Sequence, residues 1–195
     1  MNTYLVSTFL MAVAEIGDKT QLLALLLAAR YKKPIAIVTG ILIATVLNHA
    51  LAGAVGAWIQ TQISPETLRY IIGGLFVAMG LWSLIPDKLD DGEIKSQGSK
   101  YGAFVVTLIA FFLAEMGDKT QIATIGLAAK YHPAWAVIMG TTTGLMFANV
   151  PAVYFGHKMS QKLRFKTIRY VAALLFILLG VATLLKLDEM IFRIR

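Results

Sequence analysis

Ala14-Glu15-Ile16-Gly17-Asp18-Lys19-Thr20-Gln21 returns as Ala114-Glu115-Met116-Gly117-Asp118-Lys119-Thr120-Gln121, with only the third residue changed and an offset of 100 residues. The same offset relates Ala28-Ala29-Arg30-Tyr31 to Ala128-Ala129-Lys130-Tyr131, Gly40 to Gly140, and Arg69-Tyr70 to Arg169-Tyr170. Matches that recur at one spacing over this length mark an internal duplication. Each copy sets two acids and a lysine inside a long apolar run, and the fold class follows from that combination.

Of the 195 residues, 57% are hydrophobic and 15% charged, well below the roughly 25% charged residues usual for a soluble domain. A helix crosses a bilayer with about 20 mostly apolar residues. Six runs of suitable length lie near residues 4–29, 34–59, 68–86, 102–129, 133–156 and 168–187. The expected fold is an all-α membrane protein whose six transmembrane helices form two inverted-topology three-helix repeats. Three spans per copy is an odd number, so the chain enters the second copy from the opposite face. Residues 1–86 form the N-terminal repeat, 87–100 a polar cytoplasmic linker and 101–195 the C-terminal repeat. Met1-Asn2-Thr3-Tyr4 lacks the basic region of a secretory signal, so the first run reads as a retained helix.

The net charge of +7 is arranged around the spans. Arg30, Lys32, Lys33, Lys88, Lys95, Lys100, Lys158, Lys162, Arg164, Lys166 and Arg169 share one side, against Arg69, Lys130, Lys186, Arg193 and Arg195 on the other. The richer side is expected in the cytoplasm. That puts the protein in a bacterial inner (plasma) membrane as a multi-pass chain with both termini periplasmic or extracellular. Nucleic acid is not an expected partner, because the basic residues occupy short loops and no binding motif accompanies them. The absence of cysteine removes thiolate ligands, disulfides and cysteine nucleophiles.

Both acidic segments fall near the middle of their spans. At about 2.5–3.5 kcal/mol per central charge, their six ionisable residues would cost roughly 15–21 kcal/mol facing lipid. They must face one another or water. On a continuous helix, residues three apart share a face, which sets Glu15 beside Asp18 and Glu115 beside Asp118. Side by side, the two helices would gather four carboxylates, the amide oxygens of Gln21 and Gln121, and the hydroxyls of Thr20 and Thr120. Such an oxygen-rich set suits hard divalent cations such as Ca²⁺ and Mn²⁺ rather than zinc or copper. With Lys19 and Lys119 included the formal charge is −2, matched by one divalent ion or two protons. Gly17 and Gly117 permit either close helix approach or a local break. Lys19 and Lys119 lie too deep to reach the headgroups and need internal partners, as structural pairs or gating counter-charges. Asn48 and Asn149 in the second span of each half are candidates for lining the pathway or for an interhelical hydrogen bond. His49 reads as a packed neutral histidine.

Two E-x-G-D-K-[TS] motifs in two three-span halves resemble the family of manganese/calcium cation exchangers, which includes bacterial MneA-type manganese exporters and relatives in the eukaryotic Golgi. The resemblance covers essentially the whole chain. Carried over by position, the motif falls on Glu15, Gly17, Asp18, Lys19 and Thr20 and on Glu115, Gly117, Asp118, Lys119 and Thr120. It implies a secondary transporter exporting Mn²⁺ in exchange for protons, with metal ligation at Glu15, Asp18, Gln21, Glu115, Asp118 and Gln121. Manganese comes from the resemblance; the residues alone point to a divalent cation. No cofactor is expected beyond the transported Mn²⁺ or Ca²⁺ and the counter-ion H⁺. A homo-oligomer is compatible with the sequence. The alternatives are a Ca²⁺/H⁺ antiporter, an intramembrane aspartyl hydrolase using Asp18 and Asp118, and a non-transporting scaffold; only the last would tolerate loss of all four carboxylates.

Overall fold

A computed structural model describes residues 2–85, 102–159 and 165–187. The helices are α1 (Thr3–Glu15), α2 (Lys19–Tyr31), α3 (Pro34–Gln62), α4 (Pro65–Ser83), α5 (Ala103–Glu115), α6 (Lys119–Lys130), α7 (Ala134–Met159) and α8 (Phe165–Leu184), and no strand occurs among the described residues. The linker expected at 87–100 lies outside them. Among the described residues eight helices stand where six were expected, because the first and fourth runs are each interrupted at their acidic segment, giving α1 with α2 and α5 with α6. Among the described residues, two helices are long and apolar enough to cross a membrane by themselves, at Pro34–Gln62 and Ala134–Phe155.

Local signals explain the starts of α1, α3 and α4. The Asn2 side chain accepts from Tyr4 N at 3.1 Å and starts α1, while Ser64 accepts from Thr67 N at 3.4 Å and starts α4. Pro34 and Pro65 occupy first-turn positions, where a missing N–H leaves no gap in the helix.

The repeats are interlocked rather than side by side. The long α7 of the second repeat packs along α1 of the first, and the long α3 of the first packs along α5 and α6 of the second. Glycine makes these contacts backbone-close. A Cβ on Gly144 would lie 2.4 Å from Thr8 O, and one on Gly56 would lie 2.4 Å from Ile125 O. The third members of the repeats, α4 and α8, form a pair of their own along Gly73, Gly80 and Gly180.

The Thr3 hydroxyl donates to His132 O at 2.9 Å, and Arg69 Nη1 to Leu184 O at 2.7 Å, so these residues mark one end of the bundle, here the upper end. Gly40 meets Phe104 O and Thr107 near the lower end, where α4 finishes and α5 begins. Of the described basic residues outside the acidic segments, Arg30, Lys32, Lys33, Lys158, Lys166 and Arg169 fall in the lower half, and Arg69, Lys130 and Lys186 in the upper.

Overpacking a close contact costs about 1–3 kcal/mol. Gly56→Ala and Gly144→Ala should therefore lower the thermal unfolding midpoint in detergent, whereas Gly74→Ala, where a Cβ meets nothing within 4 Å, should leave it unchanged or raise it.

Candidate functional site

The two interruptions are built alike. α1 ends on Glu15 and α5 on Glu115; each chain then turns through a glycine and restarts with aspartate as the N-cap, Asp18 for α2 and Asp118 for α6. Gly17 has φ 85° and Gly117 φ 76°, a left-handed conformation open to glycine and strained for other side chains. Glu15 and Asp18 therefore do not sit one turn apart on a continuous helix, nor do Glu115 and Asp118. The expectation of a shared helical face is corrected: each pair instead flanks a break.

Such a break strands backbone donors, and the motif's own side chains recover them. Gln21 Oε1 accepts from Gly17 N at 2.9 Å, and Gln121 Oε1 accepts from Gly117 N at 2.7 Å. Asp118 Oδ1 caps Lys119 N at 2.7 Å. Across each break a threonine of the restarting helix donates to the glutamate that ended the previous one: Thr20 to Glu15 Oε1, and Thr120 to Glu115 Oε2 at 2.5 Å. The glutamines are thus first of all clamps on the glycine turns.

The tertiary fold then brings the breaks together. Lys19 Nζ lies 3.6 Å from Asp118 Oδ2, an ion pair that crosses between repeats. Glu15 lies within electrostatic reach of Glu115 and Asp118, and Thr20 within reach of Glu115 as well as Glu15. Lys119 stands over the Trp82 ring at 5.8 Å. All four carboxylates are sealed from the surface, at 0% exposure for Glu15 and Glu115, 4% for Asp18 and 5% for Asp118.

The two asparagines differ. Asn149 Nδ2 donates to Glu15 Oε1 at 2.9 Å and so touches a site carboxylate directly. Asn48 Nδ2 donates to Phe112 O at 3.1 Å, and its Oδ1 accepts from Gln121 Nε2 at 3.4 Å, so it supports the clamp instead. Gln21 Nε2 has a backbone partner, Ala148 O, at 2.9 Å. His49 is buried beside Thr142, with Nδ1 and the hydroxyl 3.4 Å apart. Met116, flanking Glu115, is 53% exposed.

After these bonds are assigned, Glu15 Oε2, Glu115 Oε1 and Asn149 Oδ1 remain buried without a hydrogen-bond partner among the described residues. No three acidic or histidine side chains among them are gathered tightly enough to hold a metal as they stand. The glutamates are tied singly, Glu15 by Thr20 and Asn149 and Glu115 by Thr120, and Asp118 by Lys19, rather than gathered with Asp18 into the compact cage expected from sequence. A small pocket with room for about one water molecule reaches Gly17, Asp18 and Lys119 from beside Ser83, Arg169 and Ala172. Trp82, Ser83 and Arg169 were missed in the sequence, where a tryptophan near a span end reads as an interface anchor and an arginine there as a topology signal.

Buried acids collected at paired helix breaks, within an apolar bundle that has membrane-length helices, define a membrane protein of the ion-handling kind. The chain belongs to the family described as divalent cation/proton antiporter GDT1, which matches it twice, over residues 3–91 and 103–191. It is 49% identical over 184 residues to a Vibrio cholerae protein named "Putative manganese exporter", covering 94% of this chain and 90% of that one. It is also 29% identical to GDT1-like protein sll0615 of Synechocystis over 94% of this chain and 97% of the relative. GDT1-like protein 5 of Arabidopsis thaliana is 29% identical over 93% of both chains. No solved structure matches the chain. The family is one of transporters rather than enzymes.

At Gly117 a Cβ would meet nothing within 4 Å, so any penalty for substitution reports the backbone angle alone. Gly117→Ala should lose about 1–2 kcal/mol of stability, and Gly117→Asn less, as read from unfolding midpoints in detergent.

Proposed function

We propose that the chain exports Mn²⁺ from the cytoplasm in exchange for protons, with the two facing breaks acting as one site. The carrying observation is that Glu15 Oε2 and Glu115 Oε1, one from each repeat, are buried acceptors with no hydrogen bond among the described residues. A carboxylate oxygen sealed from water is costly unless a proton or a cation meets it. Proton and metal then compete for the same oxygens, which is the chemistry antiport requires.

On this reading α1 with α2 and α5 with α6 are broken spans, and with α3, α4, α7 and α8 they make six crossings in two inverted repeats, residues 1–86 and 101–195, joined by a cytoplasmic linker at 87–100. The lower end faces the cytoplasm, and both termini face the periplasm or exterior. Glu15, Asp18, Glu115 and Asp118 are the metal ligands. One lone pair on each carboxamide oxygen of Gln21 and Gln121 is held by a glycine N–H, which leaves each one further acceptor position for the ion. Lys19 and Lys119 are the internal counter-charges, Thr20, Thr120 and Asn149 orient the glutamates, and Asn48 steadies Gln121. An all-oxygen donor set suits Mn²⁺ and Ca²⁺ alike. The name of the Vibrio cholerae relative favours manganese.

Liposomes containing the purified protein and loaded with acidic buffer should take up external Mn²⁺ and stop when the pH gradient is collapsed. Asp18→Asn and Asp118→Asn should each lower the initial rate at least about tenfold while membrane insertion is retained. Uptake of Ca²⁺ without Mn²⁺ would make the protein a Ca²⁺/H⁺ antiporter. Movement of neither ion under a gradient of either sign would overturn the reading.

A further inference from the structure

The duplication supplies both ends of the bundle with the same parts, yet only one end uses them. At the upper end Lys130 Nζ donates to Thr183 Oγ1, and the threonine passes its own hydrogen to Leu179 O at 2.7 Å. Beside it, Arg69 Nη1 donates to Leu184 O at 2.7 Å. An offset of 100 residues turns this set into Arg30, Ser83, Met79, Arg169 and Leu84 at the lower end. Ser83 already donates to Met79 O at 2.9 Å, the counterpart of the threonine's bond. Arg30 and Lys130 each stand over the ring of the following tyrosine, at 5.5 and 5.4 Å, but of the two only Lys130 also reaches its hydroxyl partner. Ser83 and Arg169 instead line the pocket that reaches Asp18.

Helix packing carries the same asymmetry. α4 lies against α6 and α8 against α1, both of them upper half-helices, while the related pairings of α8 with α2 and α4 with α5 are not formed to a comparable extent. Accordingly Ala128 and Ala129 in α6 are buried, whereas their counterparts in α2, Ala28 and Ala29, are half-buried and exposed. A Cβ on Gly126 would touch Leu75 and Phe76 of α4 at 3.1 Å, whereas its counterpart Leu26 is 43% exposed. α4 and α8 have little freedom relative to each other: a Cβ on Gly180 would lie 2.7 Å from Gly73 O, and one on Gly80 would lie 2.7 Å from Ala173 O.

We infer that α4 and α8 move as one gate, tied to each other by Arg69 on Leu184 O and latched to the core at the upper end by Lys130 on Thr183, and that Arg30 on Ser83 latches the lower end when the gate swings across. The inference rests on the transporter reading above. The present structure is the state latched above and unlatched below, with the carboxylates themselves still sealed. Swinging the pair moves α8 onto α2 and α4 onto α5, so access to the carboxylates changes sides while the core of α1, α2, α3, α5, α6 and α7 keeps its contacts. Each latch exchanges one charge-assisted hydrogen bond for its repeat-related copy, so neither state is strongly favoured.

Because the chain has no cysteine, introduced thiols report without background. In native membranes, Leu75→Cys with Gly126→Cys should form a disulfide that holds the upper end shut, and Leu26→Cys with Leu175→Cys one that holds the lower end shut. Each should stop Mn²⁺ transport, and reduction should restore it. Adding Lys130→Met should lower the first cross-link relative to the second by about tenfold, the scale of one lost hydrogen bond to a charged group; Arg30→Met should shift the ratio the other way. Formation of the Leu75/Gly126 disulfide itself shows that a variant has folded. The gate is overturned if the Leu26/Leu175 pair never cross-links while Leu75/Gly126 does, if transport continues through either locked form, or if Lys130→Met leaves the ratio unchanged. Should both pairs cross-link and respond to the lysine while the wild type moves no metal, the gate stands and the transport reading falls.

Discussion

Everything else in this molecule is arranged around two helix breaks that must be buried. A helix satisfies its own backbone in an apolar medium, and an interruption at depth leaves donors and acceptors that lipid cannot serve. Gln21 and Gln121 answer the glycine N–H groups, and Thr20 and Thr120 tie each restarting helix to the carboxylate that ended the last one. The breaks also orient helix ends, with the C-termini of α1 and α5 presenting carbonyl groups and the N-termini of α2 and α6 lying beside aspartates. Two long, glycine-notched helices, α3 and α7, exclude lipid from these ends. Each serves the other repeat's break, so neither half is complete alone.

Much of this was legible in the residues. Octapeptides that match at seven of eight positions one hundred residues apart showed the duplication, and apolar run lengths located α3, α4, α7 and α8 to within a few residues. The acids were recognisable as a cluster turned away from lipid because exposed charge within an apolar span is costly, and all four are buried. The break itself was not, since a glycine before an aspartate fits a tight helix contact as well as a turn, and only the φ angles at Gly17 and Gly117 distinguish them. The roles of Gln21 and Gln121 were hidden for the same reason: on an unbroken helix there is no stranded N–H to clamp. Asn48 and Asn149 differ by partners from distant helices, Phe112 and Gln121 for one and Glu15 for the other, which no local pattern encodes.

The unequal use of the two ends lies further from sequence. Arg30 matches Lys130 and Ser83 matches Thr183, so the chain specifies two latches of like chemistry. A single conformation engages one of them, because α4 and α8 are joined closely along Gly73, Gly80 and Gly180 and cannot cover both ends at once. Symmetry in the residues with asymmetry in the packing is what a two-state element looks like when one state is observed.

Charge bookkeeping connects the breaks to exchange. Four carboxylates against Lys19 and Lys119 leave a formal −2. Lys19 already offsets Asp118 across the repeat boundary, and Lys119 rests over Trp82. An uncompensated charge of that size in an apolar interior is far costlier than any hydrogen bond the motif makes. On the proposed reading the site therefore cannot release a divalent ion and stay empty while the gate moves; protons must take the ion's place first. Coupling of metal to protons then follows from desolvation at the breaks, with no separate device needed to enforce it.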